Sequence, residues 1–157
     1  ESPAQGFSLG ALSGAGYGLI ETIGISAQAP GDWAGLLFSR IGTGLLHITT
    51  SALVGAAIVV AWRERRYARL LGVYLFAVLL NGLWNMLAML FSFSELAELL
   101  KQAGWLQTIQ PTLITALGML AVALFVILII SNRHMRKSIS TPAVETKIAA
   151  DSTDQTS

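Results

Sequence analysis

In the stretch GYGLIETIGI, Gly16 to Ile25, a single glutamate stands among apolar and glycine residues. Two more ionisable side chains, Arg40 and His47, follow in the next apolar stretch. A carboxylate and an imidazole can take and give protons or ligate a hard cation or zinc, and a guanidinium can hold a carboxylate. An ionisable group in a lipid-spanning segment is costly and marks a functional site by default. Glu21 and His47 alone are two ligands, however, and a catalytic zinc takes three from the protein plus a water.

Each of these groups lies on a polar stripe at helical spacing. Ser13, Tyr17 and Glu21 are four apart on the first segment. Arg40, Thr43, His47, Thr50 and Ser51 form the second stripe, and Tyr74, Asn81 and Asn85 the third. Three stripes turned inward would make one buried polar site from Tyr17, Glu21, Arg40, His47, Ser51, Asn81 and Asn85. Plainer readings stand beside this one. Arg40 can snorkel to an interface, His47 can be a satisfied interior histidine, and Asn81 and Asn85 can simply bridge helices. Gly6, Gly10, Gly14 and Gly18 recur every four residues, a spacing that lets a neighbouring helix approach closely.

The elements that must carry these residues follow from composition. Of 157 residues, 54% are hydrophobic and 12% charged, against about 25% charged in a soluble domain. There is no cysteine, hence no disulfide and no thiolate metal site. The net charge of +1 gives no nucleic-acid signal. A bilayer core needs about 20 apolar residues per helix. Four segments approach this: 6–27, marginal because of its glycines, then 33–62, 70–93 and 111–131. The expected fold is therefore an all-α, polytopic membrane bundle of about four transmembrane helices. Between the last two spans, SELAELLKQAGW reads as a short amphipathic surface helix capped by Ser94. Pro111 suits the first turn of the fourth span. Residues 1–137 form the membrane domain, and the Ser-, Thr- and Ala-rich 138–157 reads as a disordered tail.

Seven of the ten Lys and Arg residues fall in two clusters, Arg63 to Arg69 and Arg133 to Lys137. The positive-inside rule puts both, with the tail, in the cytoplasm.

Three motifs resemble the PrsW family of intramembrane metalloproteases. GALSGAGYGLIETI is similar to a family motif in which an aromatic residue precedes a glutamate by four positions. RIGTGLLHITTSALVG is similar to the next, an arginine followed seven residues later by a histidine. LLNGLWNML resembles the last, where Asn81 stands at the usual histidine, four residues before Asn85. The resemblance covers residues 5 to 92. It implies a metal-dependent protease that cleaves membrane proteins, with Glu21 and His47 at a divalent metal, zinc being expected, and Asn85 as a supporting group. It also implies a prokaryotic plasma membrane. The family's paired glutamates belong one helix upstream and do not occur here, so the chain reads as an N-terminally truncated portion that is inactive alone. A catalytically inactive scaffold or sensor that binds a partner helix is the alternative reading. A transporter or channel subunit would call for inverted repeats, and none is visible.

Overall fold

The computed structural model describes residues 2–26, 33–99 and 104–154, and these form four helices: α1 (Pro3–Ser26), α2 (Trp33–Glu64), α3 (Tyr67–Leu99) and α4 (Trp105–Asp154). No strand occurs among the described residues. The expected all-α membrane bundle is the fold. Within α2, α3 and α4, the stretches Arg40–Glu64, Tyr67–Ser94 and Thr108–Arg136 are long and apolar enough to cross a membrane. The glycine-rich α1 is a 24-residue helix but does not reach the same mean hydropathy.

Helix α1 starts earlier than its apolar pattern suggests. The Gln5 amide N–H donates to Ser2 Oγ at 3.2 Å, and the Ser2 N–H donates to Gln5 Oε1 at 2.7 Å. This reciprocal capping box satisfies two end donors at once, and Pro3 fills the first helical position, where no N–H is needed. At the other end of the bundle's first hairpin, α2 and α3 are joined by Arg65 and Arg66 alone. Arg65 takes a left-handed backbone, φ 54°, to reverse the chain. Trp62 and Tyr67 meet edge to face beside it, with ring centroids 6.3 Å apart. Aromatic rings next to a basic turn are the usual furniture of a membrane–water boundary.

One expectation is corrected. No separate surface helix begins at Ser94: α3 runs unbroken through it to Leu99. Ser94 is buried, and its hydroxyl donates back to the Phe91 carbonyl at 2.7 Å, an intrahelical bond rather than a cap. The sequence SELAEL contains helix formers and no breaker, so nothing stops the helix there. Residues 100–103 of that stretch lie outside the described residues. Helix α4 follows, from Trp105 to Asp154.

Helix α2 is central. It touches α1, α3 and α4, and α4 also touches α1 and α3. Helices α1 and α3 do not touch each other among the described residues. Two small cores hold the arrangement. Phe7, Ala52 and Ala56 join α1 to α2, with Leu128 and Met135 of α4 against them. Leu46, Trp84 and Leu124 join α2, α3 and α4. The outer faces are apolar and bare: Leu12, Ile20, Leu79, Met119 and Ile130 are all exposed. Such a surface is unstable in water and suits hydrocarbon.

A candidate active site between α1 and α2

The glycine ladder sets the register of the site. A Cβ added to Gly6, Gly10 or Gly14 would collide with the backbone of Gly55, Ser51 or His47 in turn. Gly18 continues the ladder, its added Cβ falling 3.5 Å from the Gly44 Cα. Each step of about one turn forward on α1 is one turn back on α2, so the two helices run antiparallel, backbone against backbone. Extended by one more turn, the ladder brings Glu21 opposite Arg40.

The side chains meet there. Arg40 Nη1 donates to Glu21 Oε2 at 3.0 Å. His47 Nε2 lies 3.2 Å from the same oxygen, a hydrogen bond donated when Nε2 carries the ring proton. Arg40 and His47 side chains are 14% and 17% exposed and Glu21 33%, so the cluster is partly buried with its carboxylate at the open edge. Tyr17, one turn before Glu21, sets its ring edge-on to the imidazole with centroids 4.8 Å apart and planes at 82°. The aromatic contact and the carboxylate together fix the orientation of the imidazole. Arg40 is thus an ion-pair partner at the site and does more than snorkel.

The other predicted residues are distributed differently. Ser51 and Asn81 line a cavity one to two turns from the cluster, together with Ser13, Thr50 and Tyr74. Asn81 Nδ2 donates to the Ala77 carbonyl of its own helix at 2.9 Å. Asn85 is exposed on α3 and does not join the stripe. The reason is its neighbour. Trp84 is the residue α3 turns inward, with its indole over Gly42, where any Cβ would strike the ring. Trp84 Nε1 also donates to Thr43 Oγ1 at 3.1 Å. One residue further on, about 100° around the helix, Asn85 points away. The pairing of Gly42 and Thr43 with Trp84 went unseen in the sequence, because a tryptophan in an apolar run carries no positional signal.

A helical bundle with apolar outer faces and an internal ionic cluster defines an integral membrane protein with a polar site in its interior. The model of the PrsW family, described as intramembrane metalloproteases, matches residues 1–129. The chain belongs to the PrsW family. No curated protein and no solved structure matches it.

The family description implies a metal, and the residues can be tested against one. Among the described residues no group of three His, Cys, Asp or Glu side chains converges. Glu21 and His47 are two donors, and the carboxylate oxygen nearest His47 already accepts Arg40. A catalytic zinc takes three protein ligands. The donor set of the described residues therefore does not make a zinc site.

Proposed function

We propose that the chain works in intramembrane peptide hydrolysis, receiving a segment of a membrane protein at the Glu21–Arg40–His47 cluster. The observation that carries this reading is the convergence of Arg40 and His47 on one oxygen of Glu21 within the stretch that matches the family. Glu21 is placed to accept a proton from an attacking water. Arg40 holds the carboxylate in position, and His47 supplies the second proton-handling group beside it. The bilayer and the surrounding helices keep such a water apart from lipid.

A second reading, a scaffold or sensor that holds a membrane segment without cutting it, is favoured by the donor count and by the guanidinium already on Glu21. One experiment separates the two. The full-length protein is reconstituted in liposomes with a membrane-anchored reporter, and the parent is compared with Glu21→Gln and His47→Ala. Cleavage by the parent that both variants lose supports hydrolysis. A reporter that co-purifies uncut with parent and variants alike replaces it with the scaffold.

The proposed orientation has the basic turn in the cytoplasm of a prokaryotic cell, on the strength of Arg63, Arg65, Arg66 and Arg69, all exposed. The chain has no cysteine, so Ala68→Cys is a clean probe. An impermeant maleimide should leave it unlabelled in intact cells and label it after lysis; labelling in intact cells reverses the topology.

A further inference from the structure

We infer that the end of the bundle formed by the α2–α3 turn and the last turns of the α4 span is a seat for anionic phospholipid headgroups. It lies about 35 Å along α2 from Arg40, at 1.5 Å per residue. It therefore does not depend on what the ionic cluster does.

The chain has seven arginines. Arg40 is held by Glu21. The other six are Arg63, Arg65, Arg66, Arg69, Arg133 and Arg136, and every one is exposed. Packing brings these two groups to one end of the molecule. Leu124 of α4 meets Leu46 of α2, with Leu117 and Leu120 beside it. Further along both helices, Leu128 and Met135 reach the cluster of Phe7, Ala52 and Ala56. Helices α2 and α4 thus run in the same direction, and their membrane-crossing stretches end on the same side, at Glu64 and Arg136. Arg63 lies seven residues beyond Ala56, on the stripe of α2 that packs against α1 and α4. Arg136 directly follows Met135. The arginines therefore ring the end of the α2–α4 seam.

Opposing charge is scarce there. Glu64 is the one acidic side chain among the described residues of the turn, and it is taken by Arg66, Nε to Oε2 at 3.1 Å. Like charges gathered this closely repel unless anions lie among them. The turn also fixes their depth. Only Arg65 and Arg66 join the two helices, and the rings of Trp62 and Tyr67 mark the boundary beside them. At that depth the abundant anions are lipid phosphates. A guanidinium meets a phosphate with two parallel N–H donors. In phosphatidylcholine the phosphate is already balanced by a cation on the same headgroup, which the arginines repel. Phosphatidylglycerol carries no such cation. A basic residue beside an anionic leaflet is worth about a fivefold preference. A soluble acidic partner is served less well, because a two-residue turn reaches little way into the water.

The test reads which lipids gather at this end. The full chain, with a short-range donor dye on Ala68→Cys, is placed in phosphatidylcholine liposomes. Trace phosphatidylglycerol or phosphatidylcholine bears the acceptor on an acyl chain, and energy transfer gives the local enrichment. Phosphatidylglycerol should be enriched about threefold beside Ala68, and not at all beside a dye on Thr108→Cys, at the other end of the α4 span. Arg63→Gln with Arg136→Gln should at least halve that enrichment. Arg63→Lys with Arg136→Lys keeps both charges and should retain most of it. Raising salt from about 0.05 to about 0.5 M should weaken it. Millimolar inorganic phosphate or an acidic soluble peptide, at constant ionic strength, should displace nothing. Absence of enrichment in the parent overturns the seat, as does equal enrichment beside Thr108. Enrichment untouched by the glutamine pair places the lipids elsewhere, and a loss as complete with the lysine pair makes the two arginines structural; both overturn it. Displacement by phosphate or by the peptide replaces the lipid seat with a soluble-anion site or a protein-docking surface.

Discussion

Between α1 and α2, Gly6, Gly10 and Gly14 bring backbone against backbone. Between α2 and α3 one large ring, Trp84, fills the space left by Gly42 and ties itself to Thr43. Lipid tails are as apolar as leucine, so neither contact draws on the hydrophobic effect as a soluble core does. The first contact is made by deleting side chains, and its tolerance for additions is nil. The second is made by fitting one side chain into a notch, and its sensitivity is to loss. The difference matters at the site, because only the glycine contact sets the register that places Glu21 against Arg40 and His47.

The largest effect should come from breaking the glycine contact. Gly14→Leu puts a side chain into the His47 backbone, which cannot move aside. A cost of about 3 kcal/mol or more is expected, at the upper end for overpacking. The readout is a disulfide between Gly18→Cys and Gly44→Cys, which should form readily in the parent and fail once Gly14→Leu is added. Trp84→Ala should cost less, about 2 kcal/mol against roughly 3–5 for a large aromatic in a soluble core, because lipid chains can refill the space. Unfolding in mixed micelles would measure it, and the Gly18–Gly44 crosslink should survive. The smallest change is Thr43→Val, which removes the bond from Trp84 Nε1 and should cost about 0.6 kcal/mol. Should Trp84→Ala abolish the crosslink as well, the two contacts are one cooperative unit.

How much of this was legible beforehand varies by residue. The four-residue glycine spacing announced a close helix contact, and the stripes of Tyr17, Glu21, Arg40 and His47 announced a shared face; both depend on helical periodicity, which sequence carries well. The start of α1 is equally readable in Ser2-Pro3-Ala4-Gln5, a capping signature that stands ahead of the apolar stretch. Ser94 misled because serine both caps helices and sits inside them, and only the partner of its hydroxyl decides which. Asn81 and Asn85 share a spacing but not an environment: Asn81 lines the cavity, and Asn85, one turn further on beside the inward Trp84, is exposed. The cavity that Ser51 and Asn81 line was not legible at all. It exists because α1 and α3 stay apart, and no pattern within either helix records its distance from the other.

The contact of Gly14 with His47 has a consequence for how this protein can change over time. Gly14 meets the main chain of His47, not its imidazole. At Gly14 residue 47 is therefore nearly anonymous, and its side chain meets α1 through Tyr17, Gly18 and Glu21 instead. The glycine contact places little demand on the identity of position 47, so what selection acts on there is what the side chain does. A descendant could trade the imidazole for another group, and with it the chemistry, in a single substitution and without refolding its membrane domain.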